Sequence, residues 1–449
     1  TGISTRVRGG VVLVAALALT SSWQVVPAAG AAAPSDNATW GALTSGLSVN
    51  PAGKLVGGGV AAISADGRYV AFGASSSKLV PGDTNGFYDV FVRDRVTGVT
   101  ERVSVGPGGA EANGRNHGFD APAISADGRY VAFTSKASNL VAHDTNDTYD
   151  VFVRDRAAQV TRRVSVGPGH RQGNNASFQP GLSANGQRVV FASLASNLVA
   201  RDSNGRDDVF VRYQAGQTTR LVSVGRGRHK TNGFSFSPAI SADGAWIGFV
   251  STSSNLVAHD TNRTSDVFVR HLPTHTTRRV SVSTSGRQAN NGDEGLSLSA
   301  HGRYVAFTSS STNLVAGGTR AESNVFVRDR VERTTRRVSV EANGVQANHA
   351  SFDPPSISAH GRYVAFDSFA TNLVPRDSGF GLDVYVRDRV AHVTRKVSVA
   401  LDGATPDDES GVPVISADGR HVVFISLASN LVTGDTNNKA DLFVRDRLP

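Results

Sequence analysis

The chain has 449 residues with no cysteine and no methionine, so disulfides, thiol catalysis, thiolate metal sites and a lipidated cysteine are excluded. It carries 46 lysines and arginines against 38 acids, a formal charge of +8 with a pI near 10.0. Such a balance either steers the protein to an acidic partner (an anionic cell-wall polymer, a lipid headgroup or nucleic acid) or is neutralised locally by aspartates beside the arginines.

At the amino terminus Arg6 and Arg8 precede the apolar run from Val11 to Leu19, and Ala29-Gly30-Ala31 offers small residues for cleavage. Residues 1–31 therefore read as a secretion signal and 32–40 as a linker, which places the mature chain in a secreted or extracytoplasmic setting. The apolar run is well short of the roughly 20 residues that span a bilayer, and no later segment supplies an anchor.

From residue 41 to 449 the chain is one repeat. The element Ile63-Ser64-Ala65-Asp66-Gly67-Arg68-Tyr69-Val70-Ala71-Phe72 recurs with its serine at Ser64, Ser125, Ser183, Ser241, Ser299, Ser358 and Ser416, at spacings of 58 to 61 residues. That period suits a four-stranded unit rather than a helical pair. In the second copy the strands read as Pro122-Ala123-Ile124-Ser125, Tyr130-Val131-Ala132-Phe133, Asp150-Val151-Phe152-Val153-Arg154 and Arg163-Val164-Ser165-Val166, each rich in β-branched or aromatic residues.

No segment after the signal holds a 3.6-residue apolar period, so the class is all-β: a seven-bladed propeller of four-stranded blades. Runs such as Val-Phe-Val fit sheets buried on both faces. Asp-Gly, Asn185-Gly186 or His-Gly joins the first two strands of each copy, which predicts two-residue type I′ hairpins.

The seventh repeat stops after its third strand, Asp441-Leu442-Phe443-Val444-Arg445. The segment Ser45-Gly46-Leu47-Ser48-Val49-Asn50-Pro51-Ala52-Gly53 matches the fourth-strand segment Arg102 to Gly109. Pairing the two would close the ring and leave no half-blade edge exposed.

Ser-Ala-Asp-Gly-Arg-Tyr-Val-Ala-Phe followed by Asp-Val-Phe-Val-Arg-Asp resembles the TolB-like propeller repeat, a WD-repeat-like unit, over roughly residues 41 to 449. The resemblance implies the fold and little about function, because such propellers serve many roles. TolB itself has six blades and an amino-terminal α/β domain, both departed from here, so its partners do not carry over.

The long loops between second and third strands share one face with the blade-to-blade connections, where function usually sits on a rigid scaffold. They repeat Asp-x-Asn-x-x-x-Asp: Asp83, Asn85, Asp89; Asp144, Asn146, Asp150; Asp202, Asn204, Asp208; Asp260, Asn262, Asp266; Asp435, Asn437, Asp441. The sixth copy keeps Asp377 and Asp383 but has Gly379, and the fifth has Gly318, Arg320 and Asn324.

Oxygen ligands at this spacing make calcium the candidate cofactor, but only about three side chains are on offer where calcium takes six to eight oxygens. The alternative is Asx-turn chemistry on the local backbone. No other cofactor is indicated.

The segments Asn174 to Phe178, Asn232 to Phe236 and Asn348 to Phe352 precede innermost strands, and their phenylalanines read as blade-packing anchors. On the hairpin face Arg154, Arg156, Arg162 and Arg163 around Asp155 read either as a basic ring or as a ladder of cross-strand ion pairs. His143 and His259 read as solvated loop residues.

Nucleophile-elbow, zinc-protease and P-loop motifs are absent, so no catalytic residue is assigned. The reading is a monomeric binding or scaffold module for a protein or anionic envelope polymer, without a nucleic-acid partner. The alternative is a hydrolase or lyase acting on glycans at the central channel. For that reading Asp293-Glu294 and Asp407-Asp408-Glu409 are the blade-unique acids.

Overall fold

The computed structural model describes residues 40–447, apart from 119, 201, 203, 318–321, 376 and 378–380. The expected signal segment therefore lies outside the described residues. Twenty-eight strands form seven four-stranded antiparallel sheets, and the only helical pieces among the described residues are three short 3-10 turns. Blades 1 to 6 span residues 61–102, 123–163, 177–221, 235–279, 293–337 and 356–396; blade 7 spans 410–447 plus the strand Trp40–Gly46. No helix among the described residues is long and apolar enough to cross a membrane.

The Val-Phe-Val pattern is what radial stacking requires. In blade 2, Val151 and Val153 pack with Val189, Phe191 and Phe210 of blade 3, while Phe152 turns the other way to join Val90, Val92 and Phe133 against blade 1. Successive side chains of a strand point to opposite faces, and both faces here meet another sheet. Each blade stacks a second-strand ring on a third-strand ring, as with Phe133 and Phe152 at 5.9 Å.

The Asp-Gly turns differ from the expected type I′ geometry, which needs positive φ at two residues. Only the glycine has it, with Gly67 at 75° and its six equivalents between 64° and 74°. The Gly67 N–H donates to Ser64 O at 3.0 Å, Ser64 Oγ donates to Asp66 Oδ1 at 2.7 Å, and Tyr69 N–H donates to Ser64 Oγ at 2.9 Å. The serine side chain thus ties the turn.

At every blade but the fourth, where Gly244 meets Arg188, the glycine is needed twice over, because its backbone lies on an aromatic ring of the preceding blade. A Cβ on Gly128 would fall 2.2 Å from Tyr69, and one on Gly302 2.5 Å from Trp246.

In blade 7, Trp40–Gly46 pairs antiparallel with Asp441–Arg447, with Gly46 opposite Phe443. The ladder lies upstream of most of the Ser45–Gly53 segment picked from sequence. Ser48 follows it and donates to Asp441 Oδ1 at 2.7 Å, as Ser104 does to Asp89 at 2.5 Å.

Candidate functional site

The third strand of each blade opens on a buried polar residue whose surroundings define the Asp-x-Asn-x-x-x-Asp loops. In blade 2, Asp150 is fully buried. Its Oδ1 accepts Ser165 Oγ at 2.5 Å, and the Val151 N–H donates to that hydroxyl at 3.1 Å. Its Oδ2 accepts Asn146 Nδ2 at 2.8 Å and Arg163 Nη1 at 3.2 Å, and the same guanidinium reaches Asp144 at 2.8 Å.

Fourth-strand cations fill the same place elsewhere. Arg102 meets Asp83 at 3.0 Å and Asp89 at 3.6 Å, with Asn85 donating to Asp89 at 2.8 Å. Arg279 meets Asp260 at 3.3 Å and Asp266 at 3.0 Å, with Asn262 donating to Asp266 at 3.2 Å. In blade 6, Lys396 lies 3.0 Å from Asp377 and 2.6 Å from Asp383.

Two blades keep the acids without that cation. Blade 3 holds Asp202, Asn204 and Asp208 but has Leu221 opposite Phe210, where blade 2 has Arg163 opposite Phe152. Blade 7 holds Asp435, Asn437 and Asp441 but has Gly46 in that register. Asn204 and Asn437 still donate to Asp208 and Asp441, at 2.6 and 2.7 Å. Burial, reinforced by Asp208 and only weakly opposed by Lys230, pushes Asp202 up to about 6; burial and Asp441 push Asp435 up as well.

The asparagines face the aspartates through amide nitrogen, and their oxygens accept backbone N–H groups, as Asn85 does from Phe87 at 2.9 Å. That is Asx-turn geometry. Among the described residues no group of three or more histidine, aspartate or glutamate side chains is arranged to hold a metal.

The hairpin face carries an interlocked ladder. Arg68–Asp94, Arg129–Asp155, Arg303–Asp329 and Arg362–Asp388 pair at 2.7 to 2.8 Å. Asp155 is therefore held by Arg129 and not by the four arginines around it. Of those, Arg163 serves the opposite face, Arg154 donates to Gln159 and Thr161, Arg156 pairs with Glu101, and Arg162 is exposed. Arg156, Arg330, Arg389 and Arg447 each reach back over an aromatic ring of the preceding blade: Tyr69, Trp246, Tyr304 and Tyr363.

Blade-unique acids gather where the innermost strands begin. Asp353 and Asp367 both accept the Val412 N–H, at 3.3 and 3.2 Å, and Asp367 also accepts the amides of Phe352 and Asp353. Burial, then the adjacent Asp367, drives Asp353 far above the carboxylate range, with Glu294 adding repulsion.

Sequence reading missed this pair because its members sit on different strands. The available signal was Asp367 itself, an acid where the aligned copies have Gly73, Thr134, Ala192, Val250, Thr308 and Ile425. Asp293 is 1% exposed, neither of its oxygens is hydrogen-bonded, and burial pushes it up to about 8. The Asp407-Asp408-Glu409 segment is exposed, with Asp407 capping Ser429.

His143 and His259 are exposed loop residues whose carbonyls accept Arg163 and Arg279. Phe236 packs into the core, but Phe352 is half exposed with only an edge contact to Phe369, which corrects its reading as a packing anchor.

Neither a protein-family model nor a curated protein sequence matches the chain. Solved structures do. Oligogalacturonate lyase from Vibrio parahaemolyticus aligns with 12% identity over 90% of this chain and 89% of its own, at TM-score 0.52. The propeller domain of the Trilobed protease from Pyrococcus furiosus aligns with 11% identity over 87% and 93%, at 0.50. TolB from Acinetobacter baumannii aligns with 14% identity over 85% and 81%, at 0.38. The chain is a seven-bladed β-propeller in fold. These likenesses concern fold alone, since propellers sharing it differ in activity.

Proposed function

We propose that this propeller is an extracytoplasmic binding or scaffold module whose partner is an anionic cell-envelope polymer. One observation carries the reading. Arg162, Arg220, Arg278 and Arg336 occupy one register on the fourth strands of four consecutive blades, all exposed, none with a carboxylate partner among the described residues. Many other arginines pair with acids, as Arg129 does with Asp155, whereas this arc, in which Arg220 also lies over the Tyr213 ring, presents positive charge without an acid beside it. Retention of the full chain on an acidic polysaccharide matrix, eluting as salt rises, is the expected result; equal passage through acidic and neutral matrices overturns the reading.

A second reading, a channel-centred hydrolase or lyase acting on glycans, draws support from Glu294, Asp353 and Asp367. Neighbouring carboxyl groups, among them Asp353 held protonated by burial, are the raw material of general acid–base chemistry. Turnover of an acidic or neutral glycan that survives in Asp353→Asn would remove that support.

For the acidic loops, we propose that calcium binds only at blades 3 and 7, where Leu221 and Gly46 stand in place of the fourth-strand cation. Calcium is expected to raise the thermal midpoint of chelator-treated protein by mass action. No change in midpoint leaves these loops as turn chemistry.

A further inference from the structure

Between blades 2 and 3 the outer wall opens into a cleft of about 510 Å³, whose lining includes Tyr130, Arg162, His170, Arg212, Gln214 and Gln217, and no carboxylate. One departure from the repeat falls in its wall. In four other junctions an arginine from the following blade covers the preceding blade's aromatic ring; three of them donate to their own blade, as Arg156 does to Gly128 O at 2.6 Å, and Arg447 donates to the Tyr363 hydroxyl. Blade 3 has Gln214 in that place. Gln214 keeps the hydrogen bond to Gly186 O but brings no guanidinium over Tyr130, whose one stacked cation among the described residues is Arg129 of its own blade, at 4.9 Å.

The charges left in the cleft are uncompensated. Arg163 is committed to Asp144 and Asp150, whereas Arg162 is exposed and has no acid partner among the described residues. Arg212 is 5% exposed, donates to Thr219 Oγ1 at 3.2 Å and pairs with no carboxylate among the described residues. A guanidinium offers several donors in a planar fork suited to a carboxylate. The glutamine amides both donate and accept, which suits hydroxyls, and an open tyrosine edge suits the apolar face of a sugar ring. The cleft falls within the range of small-ligand sites, roughly 300 to 1,000 Å³.

We propose that this cleft is a subsite for one uronic acid unit of an anionic glycan, with Tyr130 against the ring, Arg162 and Arg212 on the carboxylate, and the glutamines on the hydroxyls. This rests on the anionic-polymer reading above and places its anchoring point. The arc of Arg220, Arg278 and Arg336 continues from the cleft around the wall in the direction a longer chain would run.

The test measures binding of a defined uronic acid oligosaccharide to the full chain by calorimetry, beside its neutral counterpart and a single-stranded oligonucleotide of equal charge. Gln214→Arg restores the residue used at the other junctions and should fold. It adds a positive charge yet is expected to weaken acidic-sugar binding by about tenfold or more, because the new guanidinium occupies the ring and the cleft. Arg162→Gln should weaken binding similarly.

Tighter or unchanged binding by Gln214→Arg overturns the cleft while leaving the wider reading intact, since attraction by net charge alone predicts a gain. Equal binding of the neutral sugar or the oligonucleotide overturns the uronic acid assignment. Failure of any acidic glycan to bind at low salt overturns both readings.

Discussion

Blades 2 and 3 lie side by side with almost the same loops, yet they balance charge in different ways. Blade 2 places Arg163 between Asp144 and Asp150 and so completes its own electrostatics. Blade 3 keeps Asp202 and Asp208, substitutes Leu221 for the arginine, and also substitutes Gln214 for the arginine that would cover Tyr130. One blade thus has both cations inside the fold, and its neighbour has neither. In a repeat protein the invariant positions report what the fold needs. The departures mark where a blade has been released from that need, and here two departures fall in one blade.

The largest effect should come from breaking the completed version. Asp150→Ala removes the acceptor of Ser165 and Asn146 and one of the two carboxylates around a buried arginine. Breaking a buried pair by removing one partner costs about 3 to 5 kcal/mol. Asp208→Ala, which strands no guanidinium, should cost visibly less in the same urea-unfolding experiment. Equal losses would show that the arginine contributes nothing to the difference between the blades.

Next in size is Asp293, a carboxyl group buried where blades 3, 4 and 7 have Ser177, Ser235 and Ser410 paired to a second-strand serine. The hydroxyls nearest it are engaged elsewhere: Ser281 donates to Asp266, and Ser309 donates to Gly292 O. Its folded pKa of about 8 lies above the unfolded value near 3.8. The folded state therefore holds a proton that the unfolded chain releases, and the stability linked to this group is complete at low pH and lost as pH rises through about 8. Asp293→Ser should be more stable than the parent at pH 8, by about 1 to 3 kcal/mol, and the gap should shrink toward pH 4. A gap independent of pH would assign the effect to packing.

Gly128→Ala tests the contact between blades 1 and 2. It forces a side chain into positive φ and drives a Cβ against Tyr69, at a cost of about 1 to 3 kcal/mol. The same change at Gly108, which has positive φ but no neighbour within 4 Å of an added Cβ, separates backbone strain from the clash. The larger loss belongs to Gly128.

Much of this architecture is legible in the sequence because the chain states it seven times. The strands, the blade number and the match between the two ends follow from alignment of the copies. The turn type does not, because Asp-Gly alone suggests a type I′ hairpin, while Ser64, two residues earlier, captures the aspartate and the Tyr69 amide to build a longer turn. The acidic loops were found as a motif, but their meaning lay 13 residues beyond Asp150, in Arg163 on the next strand. Asp353 and Asp367 meet only because paired strands fold back on one another, and no spacing rule finds such a pair. Gln214 was visible as a departure from Arg-Asp-Arg, but the ring it leaves uncovered belongs to the preceding blade.

The smallest effect is the most informative about that comparison. Leu221→Arg gives blade 3 the cation that blade 2 has, in a register where Arg163 already shows that the side chain reaches both aspartates. Asp202, half-buried with a pKa of about 6, contributes stability at low pH that is lost as pH rises through that value. A guanidinium beside it should lower the pKa and flatten that loss, for a gain of about 1 kcal/mol or less at pH 7, since a partly exposed pair is screened by solvent. Any rise in midpoint brought by calcium should shrink in the same variant, because arginine and the metal would compete for one pair of carboxylates. Persistence of the full calcium response would move the site away from blade 3 and onto Asp435 and Asp441, where Gly46 leaves the acids equally uncompensated.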